Sequence, residues 1–60
     1  MSSFYTEESR EEPNSHFILQ TKQDGYDWVG HIQFNGEYSP QEQRAMMSVI
    51  VNAINNNNED

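Results

Sequence analysis

The sequence predicts a small α+β fold, a ββα unit in which an antiparallel β-hairpin packs on one C-terminal helix. Two observations predict it. The run His16–Phe34 alternates apolar and polar residues around the turn dipeptide Asp24-Gly25, as a two-residue hairpin does. The segment Pro40–Ile54 repeats apolar residues at three- and four-residue spacing, which is typical of one helix face. The ordered domain is therefore expected over residues 15–54.

A turn at Asp24-Gly25 would also set the register of the hairpin. Counting outward, Lys22 faces Asp27 as a cross-strand ion pair, and Leu19 faces Gly30. Because side chains alternate between the faces of a sheet, one face is expected to form the core. That face carries Phe17, Leu19, Thr21, Trp28, Gly30, Ile32 and Phe34. The opposite face, with Ile18, Val29 and His31 among polar residues, is expected to be exposed.

The helix has a clear start signal. Ser39 suits the N-cap and Pro40 the first helical position, while Glu42 completes a capping box with Ser39. The inward stripe is expected to contain Gln43, Met46, Met47, Ile50, Val51 and Ile54, with Ala45 and Val49 outside it. The helix is expected to end near Ile54, because the asparagine run that follows consists of poor helix formers.

Both ends of the chain have the composition of solvated tails. Residues 1–14 are rich in glutamate and are expected to be a disordered acidic N-terminal tail, and residues 55–60 a disordered Asn/acidic tail. Phe4-Tyr5 is the apolar exception within the first tail, and a short strand there is the alternative.

The charge balance narrows the possible partners. Ten acidic residues against three basic ones give a net charge of −7. Nucleic-acid binding needs a basic footprint, so it is not expected, and anionic membrane surfaces are disfavoured for the same reason. No apolar stretch is long enough to span a membrane and the polar start does not resemble a signal peptide, so a cytoplasmic location is expected. An alternative interpretation of the acidity is a mimic of DNA charge that inhibits a host nucleic-acid-binding protein.

The residues that catalysis requires are missing from the pattern. The sequence has no cysteine, no glycine-rich phosphate loop and no nucleophile–base spacing. His16 and His31 are predicted on opposite faces of the hairpin, where they could not share a metal ion. We therefore expect no enzyme activity, no metal site and no cofactor.

A non-enzymatic protein–protein interaction module remains the favoured interpretation. The candidate partner surface combines the outer hairpin face with the excess apolar arc of the helix: Ile18, Val29, His31, Ala45 and Val49. A homodimer is also expected, since the small core has no disulfide or metal to reinforce it and a lone hairpin leaves two sheet edges unpaired.

The stretch GHIQFNGEYSPQEQRAMMSVIVNAI, with the acidic beginning MSSFYTEES, resembles small uncharacterised proteins of lambdoid bacteriophages. Those proteins come from the early accessory region between the exonuclease and excisionase genes. The resemblance implies an early accessory protein that acts in the bacterial host cytoplasm on host physiology or on the choice between lysis and lysogeny. It implies a host or phage protein as partner, and it transfers no catalytic or ligand residue.

Overall fold

The computed structural model describes residues 3–57 and contains three strands and one helix. The strands are β1 (Phe4–Glu8), β2 (Ser15–Lys22) and β3 (Gly25–Gln33), and the helix is α1 (Pro40–Asn57). The strands form one antiparallel sheet in the order β1-β2-β3. The predicted α+β class, the hairpin and the C-terminal helix are confirmed, and a third strand is added to them.

That third strand, β1, replaces most of the predicted N-terminal tail. It pairs with β2 in a continuous register from Phe4 opposite Gln20 to Glu8 opposite His16. The expectation of disorder over residues 1–14 was wrong for Phe4–Glu8, because the glutamates stay exposed while Phe4, Tyr5 and Thr6 are half-buried. The alternative of a short strand at Phe4-Tyr5 is correct. The first two residues of that predicted tail, and the last three of the C-terminal one, lie outside the described residues.

The hairpin turn is one position earlier than predicted. Lys22 pairs with Gly25, so Gln23 and Asp24 form the turn, and Gly25 follows it with φ of +140°, a conformation that L side chains rarely adopt. A register shift then occurs opposite Ile18 and Leu19. Ile18 faces Gly30 and Leu19 faces Trp28, which leaves Val29 as the extra residue of a β-bulge.

The helix covers the opposite face of the hairpin from the one predicted. Ile18, expected on the exposed face, is only 8% exposed and belongs to the core. Trp28, expected in the core, is 58% exposed, and Thr21 is exposed as well. Both errors have one cause. Leu19, Thr21 and Trp28 still share a face, because Leu19 pairs with Trp28, but the helix packs on the other face of β2, where His16 contacts Gln43. Leu19 remains buried because it lies on the central strand, flanked by its partners on both neighbouring strands.

The helix begins as predicted. The main-chain N–H of Glu42 donates to the Ser39 hydroxyl over 3.2 Å, and the Ser39 N–H donates to a Glu42 carboxylate oxygen over 2.8 Å. These two bonds form the capping box. The inward stripe is confirmed too: Gln43, Met47 and Val51 are buried, and Met46, Ile50 and Ile54 are half-buried.

The helix continues to Asn57, three residues beyond the predicted end. Asn55 explains the extension. Its carboxamide accepts a hydrogen bond from the Phe4 main-chain N–H (2.8 Å) and donates one to the Phe4 carbonyl (3.0 Å). At the other end of β1, the Arg44 guanidinium pairs with the Glu8 carboxylate. The helix therefore lies along β1 and leaves β3 on the far side of the sheet.

Candidate interaction surface

The sheet face that points away from the helix carries a cluster of aromatic rings, which we call the aromatic face: Phe17, Tyr26, Trp28 and His31. The His31 ring lies 6.3 Å from the Phe17 ring and 6.1 Å from the Trp28 ring, measured between centroids. Tyr26 is 64% exposed, and the neighbouring Val29 is 48% exposed. Exposed apolar surface of this kind on a small domain is typical of an interaction site.

The β-bulge at Val29 creates this cluster. In a regular strand, residues three apart point to opposite faces, so Trp28 and His31 would be separated by the sheet. The extra residue lets Trp28 pair with Leu19 while His31 pairs with Phe17. Bulges commonly re-aim side chains near functional sites, and here the bulge brings two rings to one face.

Strand β3 is also the least covered strand of the sheet. Seven of its nine residues are exposed, and only Gly30 and Ile32 are half-buried. No strand pairs with its outer edge within residues 3–57. The same strand therefore presents exposed side chains and unpaired main-chain edge groups.

The predicted partner residues divide between surface and core. Val29 and His31 are exposed beside or on the aromatic face, and Ala45 and Val49 are exposed on the helix. Ile18 is buried, so its assignment to the partner surface was wrong. The exposure of Tyr26 and Trp28 was not predicted, and Phe17, expected in the core, is half-buried. The cause is that the helix covers the face of β2 that carries His16 and Ile18, which the alternation of residues does not indicate.

On the helix, the exposed residues Ala45 and Val49 continue at the same spacing into Ala53. Val49 is 68% exposed, the largest exposed fraction among the large apolar residues of the described chain. This second exposed stripe faces away from the sheet, because the inward side of the helix is occupied by Met47 and Val51.

A buried polar cluster joins the start of β2 to the start of the helix. The Gln43 amide nitrogen donates to the Asn14 side-chain oxygen (2.8 Å) and to the Tyr38 carbonyl (2.9 Å). Its amide oxygen lies 2.8 Å from Nε2 of His16, which is 4% exposed. Since both Gln43 N–H groups are already engaged, His16 must donate from Nε2. Every contact of this cluster is internal, so its role is to hold the two elements together.

The charged groups form ion pairs at the surface. The Lys22 ammonium nitrogen lies 2.9 Å from a carboxylate oxygen of Asp27, which confirms the predicted ion pair. In the observed register the two residues are diagonal neighbours, since Lys22 pairs with Gly25. The Arg44 guanidinium, by its hydrogen bond and its charge, lowers the pKa of the Glu8 carboxyl below its usual value. Within the described residues, no three histidine or acidic side chains are placed to hold a metal ion. The two histidines lie on opposite faces of the sheet.

Comparison with known proteins gives no match to a family model, to a curated protein or to a solved structure. Across residues 3–57, no helix is both long enough and apolar enough to cross a membrane.

Proposed function

We propose that this protein is a non-enzymatic interaction module that binds another protein through the aromatic face. The observation that carries the proposal is the exposure of Trp28 and Tyr26 on an ordered strand, where a plain structural role would have placed them inward. Tryptophan and tyrosine are enriched at the centres of protein interfaces, because they bury a large area with few rotatable bonds.

The resemblance to lambdoid phage proteins supports a partner of bacterial or phage origin. We propose an early accessory role in the host cytoplasm, acting on host physiology or on the choice between lysis and lysogeny. In such a role a small protein works by occupying a surface of a larger one, which needs no catalytic group.

We also propose that two copies associate through the exposed helix stripe of Ala45, Val49 and Ala53. The small residue at each end of the stripe would let two helices approach closely, and Val49 would supply the apolar contact. This surface is separate from the aromatic face, so a dimer would leave β3 open to the partner.

The alternative, an acidic inhibitor that imitates DNA, is favoured by one observation. Glu7, on β1, and Glu11 and Glu12, in the turn that follows it, are exposed carboxylates on the described part of the chain. Two arginines interrupt this group, since Arg10 lies among them and Arg44 pairs with Glu8. The arginines therefore interrupt the row of negative charges that a DNA mimic needs, and the DNA mimic ranks second among the proposed functions.

Site-directed photocrosslinking tests the choice of surface. We would place benzoylphenylalanine at position 28 and, as a control, at position 41, which is exposed at the start of the helix. In a bacterial lysate, position 28 is expected to give a discrete crosslinked product that unlabelled wild-type protein competes away and Trp28→Ala does not. Equal products from both positions would contradict the proposal. If unlabelled Trp28→Ala competes like the wild type and only the triple variant Glu7→Gln, Glu11→Gln, Glu12→Gln fails to compete, the result would favour the DNA mimic.

A further inference from the structure

The two edges of the sheet differ in how their outer main-chain groups are covered. On β1, the Asn55 side chain bonds to both main-chain groups of Phe4, as a residue of a neighbouring strand would, and Arg44 lies beside Glu8. On β3, nothing comparable is present within residues 3–57. Natural proteins protect an open edge with charged residues, a proline, a β-bulge or a short strand, and of these β3 has Asp27 and the bulge at Val29. Strand β3 has nine residues and contains neither lysine nor proline.

The main-chain groups at this edge point outward from Tyr26 and His31. The Thr21 N–H donates to the Ser3 carbonyl, so the odd-numbered residues of β2 bond toward β1 and its even-numbered residues bond toward β3. Tyr26 and His31 pair with odd-numbered residues of β2, so their own N–H and C=O groups are directed to the outer edge. The aromatic face and the available main-chain groups therefore belong to the same residues.

Gly30 leaves open space on the helix side of β3, since it pairs with the buried Ile18. A Cβ atom built at Gly30 would meet nothing within 4 Å, although the residue lies in the middle of a strand. Glycine in a strand weakens it, and it often marks a point where another chain comes close. Gly30 pairs with Ile18 of β2, and the space that a side chain would fill is left open within residues 3–57.

We propose that β3 accepts an extended strand from the partner protein, and that this strand carries arginine or lysine beside the aromatic face. The inference rests on the proposed function and specifies its partner. Main-chain pairing at an exposed edge supplies affinity, and side chains on alternate residues supply specificity.

Charge complementarity selects a basic strand. The protein has a net charge of −7, β3 contains Asp27 and follows Asp24, and neither lysine nor arginine lies within β3. The one lysine near β3, Lys22, already pairs with Asp27. The exposed rings of Tyr26 and Trp28 suit the stacking of a guanidinium group. A second copy of this chain would instead bring another seven negative charges to the edge.

Synthetic peptides test this inference on the full chain. The first is a peptide as long as β3 that alternates arginine with valine. The second replaces arginine by glutamate, and the third is the arginine peptide with alternate main-chain nitrogens methylated, so that one edge cannot donate. Binding is followed by the fluorescence of Trp28, the single tryptophan of the chain, and by calorimetry for variants.

The arginine peptide is expected to bind about tenfold or more tightly than either control peptide, a difference readily resolved by titration. In the protein, His31→Pro removes an outward N–H and is expected to weaken binding about tenfold, whereas His31→Ala trims only the ring and is expected to weaken it less. Because His31→Pro could disturb the strand, the methylated peptide provides the same test without changing the protein.

Equal binding of the glutamate peptide would overturn the basic chemistry, and equal binding of the methylated peptide would overturn strand pairing. A crosslinked partner at position 28 without any binding of the arginine peptide would refute this inference and leave the proposed function standing. If His31→Pro converts a dimer to a monomer, β3 pairs with a second copy of the chain, and the inference of a basic partner strand is overturned.

Discussion

Asn55 and Phe4 are joined by two hydrogen bonds that link the last turn of the helix to the first strand, 51 positions apart in the chain. The carboxamide occupies the place that a neighbouring strand would take beside Phe4. This contact ties β1 to the helix, extends the helix beyond its predicted end, and covers the outer edge of the sheet at Phe4.

Asn55→Ala is expected to destabilise the fold by about 1–2 kcal/mol, because both main-chain groups of Phe4 lose their partner while half-buried. Chemical denaturation followed by circular dichroism measures the change. Asn56→Ala is the matched control, since Asn56 lies one position away and is exposed. Equal effects of the two substitutions would show that the Asn55 contact contributes nothing.

Ser39→Ala removes the acceptor for the Glu42 N–H and is expected to cost about 1 kcal/mol. Glu42→Ala is expected to cost less, because it removes the reciprocal bond at an exposed site. The double variant should lose less than the sum, since the two residues act as one box. Additive losses in the free energy of unfolding would argue that the box does not form in solution.

The ion pair of Arg44 with Glu8 gives the stability a defined pH dependence. The pKa of Glu8 is lowered in the folded chain, mainly by the hydrogen bond from Arg44, so the pair stabilises the fold above the usual carboxyl pKa. That contribution is lost as the pH falls through the lowered value. Glu8→Gln is therefore expected to be less stable than the wild type at neutral pH and equal to it in strong acid. A difference that persists unchanged in acid would rule out this origin.

Val49→Asp is expected to convert a dimer to a folded monomer, because Val49 is largely exposed in the single chain and contributes little to its core. Sedimentation at micromolar concentration measures the mass against that of the 7.0 kDa chain. Ser48→Asp adds the same charge at an exposed neighbouring position and should leave the dimer intact. A wild-type protein that sediments as a monomer would refute association through the helix stripe.

The sequence predicted the features that local chemistry determines. The capping box depends on residues three apart, and the buried stripe of Met47 and Val51 depends on helical spacing, so both are visible in the sequence. The hairpin was predicted for the same reason, since its alternation of residues and its turn dipeptide are also local features. The ion pair of Lys22 with Asp27 survived a wrong register because long side chains reach diagonal neighbours.

The features that depend on distant or irregular contacts were missed. The bulge at Val29 has no signature in the alternation of residues, yet it determines that His31 lies on the same face as Phe17. Which face of the hairpin the helix covers is also set by distant contacts, and it determines that Trp28 is exposed. Strand β1 was obscured by Glu7 and Glu8, whose composition is typical of disorder although their main chain pairs with β2. The bonds of Asn55 join the two ends of the fold, and a run of asparagines gives no indication which one would bind.

The fluorescence of Trp28 is the most direct test of partner binding at the aromatic face, since Trp28 is the only tryptophan and lies on that face beside His31. In the free, folded protein we predict red-shifted emission and efficient quenching by acrylamide, a neutral quencher that the acidic protein does not repel. Quenching should fall when a partner covers the aromatic face. Blue-shifted emission that acrylamide barely quenches in a folded monomer would place Trp28 in the core and contradict the account.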